Sequence, residues 1–130
     1  MRFRSCCLVA IGAVVAVLTA HAHHSQAVYD TRTWLTLEGT VKQMRWTFPH
    51  TWLYMEVKDA KGETQVWALE AANPNAVMEA GVKKVDLKPG DKVKVRCHPL
   101  KTDQAGCVLG FVTPMHGDKA RGDGVERAWN

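Results

Sequence analysis

Long apolar runs are missing from this 130-residue chain. The longest, Leu8 to Leu18, holds 11 residues, whereas a helix crossing a bilayer of about 30 Å needs ~20. A spanning anchor is therefore not expected. Serine is almost absent, occurring only as Ser5 and Ser25. No nucleophile motif surrounds either, so serine-based acyl transfer has no footing. There is no Cys-x-x-Cys and no glycine-rich loop after a strand, which removes the usual thiol-redox and phosphate-cradling signatures. A one-sided charge is lacking too. Without Arg2 and Arg4, the 17 basic residues fall to 15 against 13 acidic ones, a net +2. The basic side chains are scattered rather than striped, so nucleic acid is not an expected partner.

What is present begins with an export signal. Arg2 and Arg4 form a short basic start, Leu8 to Leu18 is the apolar stretch, and Ala20-His21-Ala22 is an A-x-A cleavage site. Residues 1–22 are read as a signal peptide, leaving a mature chain from His23 that is periplasmic or secreted and not held in a membrane. Cys6 and Cys7 leave with the signal. Cys97 and Cys107 remain, and an oxidising compartment favours pairing them. The loop between them is short, so a disulfide would stabilise by roughly 2–3 kcal/mol. A soft metal pair is the alternative, although the spacing is not that of a thiolate site.

The mature chain reads as short strands. Trp34 to Trp46 carries Leu35, Leu37, Gly39 and Val41 on one face, then slips phase to Met44 and Trp46. Such a slip predicts a bulge, with Gly39 easing a bend. Thr51 to Lys58 alternates with Leu53, Met55 and Val57 on one side and Trp52, Tyr54 and Glu56 on the other. Asp59 to Glu63 is a hairpin connection and Thr64 to Glu70 a third strand. Asn73 and Pro74 are an N-cap and a first helical residue; Ala76, Val77, Met78 and Ala80 form the apolar face, and Gly81 ends the helix. Lys92 to Cys97 and Cys107 to Thr113 supply two more strands.

Three strands, a short helix and two strands make an all-β domain that avoids exposed edges by closing into a five-stranded OB-fold-like barrel over residues 23–113. Residues 114–130 are rich in glycine and charge, show no periodicity, and are expected to form a loosely ordered tail.

Several residues recur together elsewhere: His23-His24-Ser25, Gly39-Thr40-Val41, Trp46 with Pro49-His50, Trp67 with Glu70, Asn73-Pro74-Asn75, and Leu87 to Asp91. In these the chain resembles the small secreted bacterial proteins grouped as domain-of-unknown-function family 6152, over about residues 22 to 113. The resemblance implies a periplasmic OB-like barrel and brings no established chemistry. Phe48 stands where that family usually has Asn, so any role of that amide is missing. The family commonly lacks a cysteine pair, so Cys97 and Cys107 look like a local addition.

Two functional readings follow from the residues. In the first, cleavage after Ala22 leaves His23 with a free α-amine and a ring nitrogen, and a further imidazole would complete a three-nitrogen site suited to Cu(II) or Ni(II), copper leading because divalent affinities peak there. His50, braced by Pro49, is the leading partner and His24 the next. Met44, Met115, His98 and His116 have weaker grounds. A terminal His-His is otherwise a flexible start, and cleavage after Ala20 would make His23 the third residue, which binds copper without help from the barrel. In the second, Trp46, Phe48, Trp52 and Tyr54 on the first hairpin form an aromatic face for a flat or sugar-like small molecule or a protein partner. The plain alternative is that some of these rings are core. No enzyme is expected: Glu38, Glu56 and Glu70 are the acid–base candidates, and strand glutamates are usually solvated.

Overall fold

The computed structural model describes residues 24–130; the expected signal peptide and His23 lie outside them. The elements are α1 (His24–Ala27), β1 (Leu35–Trp46), β2 (Thr51–Lys58), β3 (Thr64–Glu70), α2 (Pro74–Glu79), β4 (Lys92–Pro99), β5 (Gly106–Pro114) and β6 (Arg127–Ala128), with a 3-10 turn at Lys119–Arg121. The strands run in the order β3-β2-β1-β4-β5-β6, and β3 also pairs with β5. That last pairing is parallel, from Ala68↔Gly106 to Glu70↔Val108, and closes β1 to β5 into a barrel. With α2 between the third and fourth strands, the expected mostly-β, OB-like architecture is the one observed.

Alternation produces the core. Leu53, Met55, Leu69, Val93, Val95, Leu109 and Val112 all point inward and are fully buried, each burial contributing about 1.5–3 kcal/mol. Cys97 and Cys107 join them as a disulfide with its Cα atoms 5.8 Å apart, within the usual range for the bond.

The first strand does bend, but not where the glycine suggests. Its register slips between Val41 and Gln43, bringing Met44 and Trp46 onto the core. The Val41 amide and carbonyl, freed from the ladder, bond to Asp91 O and Gly90 N at 2.8 Å each, so no backbone group is orphaned. Gly39 serves a close approach: a Cβ there would lie 2.1 Å from the Glu56 carbonyl oxygen. At that point β1 hands over its partner, Leu35 to Thr40 pairing with β4 and Thr40 to Trp46 with β2.

The short helix starts as read, the Asn73 side chain accepting from the Ala76 amide. Its buried face is narrower than expected. Val77 and Pro74 are buried, while Met78 and Ala80 face solvent, because a six-residue helix lying on the barrel buries one stripe only.

The expectation of a loosely ordered tail for residues 114–130 does not hold. The chain turns back after Lys119–Arg121, and β6 pairs with β5 through Phe111↔Ala128 and Val112↔Arg127. Trp129 is 2% exposed. Its amide donates to Gly110 O at 3.0 Å, its carbonyl accepts from the Ala72 amide at 2.8 Å, and its ring lies 5.9 Å from that of Trp46. One large apolar side chain near a terminus has no periodicity to reveal it, yet its burial fixes the whole segment.

Candidate functional site

Glu70 is the last residue of β3. Leu69 before it points into the core, so the pleat turns Glu70 outward, opposite Trp52 on β2. An outward strand glutamate is ordinarily solvated, but Glu70 is only 6% exposed. Two side chains cover it. Tyr29 donates its hydroxyl to Glu70 Oε2 at 2.6 Å, and His50 brings Nε2 within 3.3 Å of Oε1.

His50 sits at the end of the connection between β1 and β2. Thr47 donates its hydroxyl to the His50 carbonyl at 3.0 Å across this connection, and the Phe48–Pro49 peptide within it is cis. The other ring nitrogen, Nδ1, is 3.2 Å from Ala71 O. A carbonyl can only accept, so Nδ1 carries the hydrogen. Nε2 is then the ring nitrogen that faces Glu70 Oε1. The ring remains 37% exposed, so the site opens to solvent on the His50 side.

Tyr29 reaches Glu70 because the segment that carries it is docked. The Asp30 amide donates to Pro99 O at 2.8 Å and the Lys101 amide to Val28 O at 2.9 Å. Lys101 Nζ donates to Ala27 O at 2.8 Å, and Tyr29 forms a bridge with Leu100. Burial, the hydrogen bond to Glu70 and the charge on Glu70 together push the Tyr29 phenol above the usual tyrosine range.

The remaining candidates are distributed around the barrel. His23 lies outside the described residues; His24 opens α1, and its side chain is not described. His98 donates through Nδ1 to Thr33 O, 2.8 Å away, and lies against Trp34 with ring centroids 3.9 Å apart. His116 uses both nitrogens, Nε2 on Asp86 O at 2.8 Å and Nδ1 accepting from the Asp118 amide at 3.1 Å. Met44 packs against the core. Met115 lines a groove of about 560 Å³ with Glu38, Gly39, Glu56 and Lys92, beyond the far end of β2 from His50. Lys92 is engaged there by Thr40 and Glu56 by Lys42. Among the described residues no three His, Cys, Asp or Glu side chains stand together as a metal cage.

The four hairpin aromatics do not share one face. Trp46 pairs across from Thr51, points inward and packs on Trp129, with Lys84 Nζ 5.9 Å above its ring. Trp52 and Tyr54 point outward, with ring centroids 6.3 Å apart and planes 21° from parallel. Phe48 projects from the connection, 66% exposed. A second surface cluster escaped the sequence reading. Arg96 lies over the Trp34 and Phe111 rings, at 5.6 and 4.3 Å, and is held by both carboxylate oxygens of Glu126. Its members come from four separate stretches, so no local pattern announces it. Tyr29 was missed for the same reason: a lone tyrosine in a polar start carries no signal until Glu70 is placed beside it.

A closed five-stranded barrel with a helix after its third strand defines a small OB-like domain. The chain belongs to the family of unknown function DUF6152, which matches residues 11–109. No curated protein matches the chain. It is similar to the mitochondrial single-stranded DNA binding protein Rim1 from S. cerevisiae, with 10% identity, a TM-score of 0.48, and 66% of this chain and 97% of that one covered. Nothing about binding follows from so distant a likeness.

Proposed function

We propose that the chain is an exported, non-catalytic OB-like domain whose mature start binds copper(II), His23 giving its α-amine and ring nitrogen and His50 giving Nε2. The observation that carries this reading is the His50–Glu70 contact. Nδ1 is spent on Ala71 O, which leaves Nε2 as the free ring nitrogen, 3.3 Å from a buried carboxylate. A ring whose far nitrogen donates to a backbone carbonyl is the usual arrangement for a metal-bound histidine. Copper suits a set of imidazole and amine nitrogens, and divalent affinities peak there. Tyr29 supports the reading from the other side. It shares Glu70 with His50 and lies six residues after His23, a span of at most about 20 Å even if extended.

The test uses the full chain, exported and processed by its host, with its first residue read by mass spectrometry and copper(II) titrated into the pure protein. One ion per chain is expected, with affinity at least 10-fold weaker when one residue is added before His23 or when His50 is replaced by alanine. A start other than His23, or an affinity indifferent to the added residue, overturns it. Cleavage after Ala20 would give copper binding that ignores His50→Ala.

The second reading is a binding module. The outward Trp52–Tyr54 pair, with Phe48 exposed nearby, is a platform for a flat or sugar-like ligand or for a protein partner. Loss of ligand binding in Trp52→Ala, with copper affinity unchanged, would select it. The balanced charge leaves nucleic acid outside both readings.

A further inference from the structure

Apart from the Tyr29–Glu70 bond, the polar docking contacts of the chain start fall on one short stretch, the end of β4 and the loop after it. Besides the bonds to Pro99 and Lys101, the Thr33 carbonyl meets His98 Nδ1 at 2.8 Å, and Trp34 lies on the His98 ring. That loop joins β4 to β5, and the Cys97–Cys107 disulfide closes it. Only His98 separates Cys97 from Pro99. On the other side, Cys107 stands in register with Leu69, the neighbour of Glu70. Inside the loop, the Leu100 amide donates to Gly106 O at 3.0 Å. The Leu100 side chain lies where a Cβ on Gly106 would come within 2.7 Å of it, and the Ala68 amide donates to Ala105 O at 3.1 Å. The disulfide thus ties together the surface on which Tyr29 docks and the strand that presents its carboxylate partner.

We infer that the disulfide-closed loop 97–107 is the positioning device for the chain start, seating residues 27–30 so that Tyr29 meets Glu70 beside His50. This rests on the proposed copper site only in its consequence, namely that the loop holds the mature terminus within reach of His50. Tyr29, Leu100 and Lys101 are positioning residues and touch no metal. Both cysteines are wholly buried, so the bond is a fixed clasp of the fold and not a thiol switch.

The test compares the processed, exported chain with its C97A/C107A variant by amide hydrogen exchange without copper, then by copper(II) titration. Exchange at Asp30 and Lys101, whose amides cross the junction, should rise at least 10-fold, while Leu53 and Leu69 in the barrel stay protected. Unchanged protection at Asp30 and Lys101 overturns the inference. Should the double variant fail to fold, Lys101→Pro deletes the bond to Val28 O with the disulfide intact, and the same rise at Asp30 is expected. Copper affinity should fall at least 10-fold in whichever variant loosens the start. If the intact protein binds no copper, the copper reading fails alone, and the exchange data still decide the clasp.

Discussion

The two ends of the described chain look alike in sequence and are held in opposite ways. Residues 24–34 and 115–130 are both polar and aperiodic, and both dock on the barrel. The C-terminal end is held by mass: Trp129 is buried against Trp46, and β6 extends the sheet. Arg121 adds a partly buried ion pair with Asp91 and a bond to Val85 O at 2.7 Å. The N-terminal end is held by polarity. Its anchors are backbone bonds to the 98–101 loop and one phenol on one carboxylate. Apolar burial is non-directional and stabilises; a buried tyrosine–glutamate–histidine chain is directional and costs desolvation unless every partner is present. The first end closes a core. The second builds a site.

Substitutions at each end should separate these roles. The largest effect is expected from Trp129→Ala, which should lose about 3–5 kcal/mol in chemical denaturation and leave exchange at Asp30 unchanged until global unfolding. A loss below about 1 kcal/mol would mean that the C-terminal end is not an anchor.

Tyr29→Phe removes a hydrogen bond to a charged acceptor and should lose about 1.5–3 kcal/mol at neutral pH. The phenol is raised in the fold, so its neutral form is the one stabilised. This contribution is complete below about pH 10, the unfolded tyrosine value, and disappears as pH rises above it. The stability gap between wild type and Tyr29→Phe should therefore narrow in alkali; a gap that is flat to pH 11 contradicts the buried phenol.

Arg121→Met should cost roughly 1 kcal/mol and change the acid side instead. Burial alone would raise the Asp91 carboxyl. The hydrogen bonds from Arg121 and the Lys88 amide, with the guanidinium charge, outweigh it and hold the group below the ordinary range. Its contribution is present above about pH 4 and is lost as pH falls below that. The variant should show a shallower acid loss in a pH series of denaturation midpoints. Least affected should be Phe48→Ser, within about 0.5 kcal/mol, since its ring packs on little; a larger loss would show that the exposed connection is structural.

The barrel was legible because alternation, caps and turns are local. Leu53, Met55 and Val57 against Trp52, Tyr54 and Glu56 foretold the faces of β2, the phase slip after Val41 foretold an irregular first strand, and Asn73-Pro74 marked the helix start. The site was half legible. His50 was singled out because proline constrains its backbone, and the contact with Glu70 gives it a partner. Glu70 itself reads as one solvated strand glutamate among three, since only Tyr29 and His50, 41 and 20 residues away, distinguish it from Glu56. The tail reads as loose in sequence because one tryptophan in a polar stretch has no period.

By itself the sequence determined the strand faces, the helix cap and the cysteine pair, all of which depend on side chains a few positions apart or on a single type of bond. Tertiary structure alone decided that Glu70 is covered, that the chain start rests on the 98–101 loop, and that Trp129 completes the core. Burial of an outward-facing side chain is a property of what another segment lays over it, and that segment's arrival is a long-range event that no local spacing encodes.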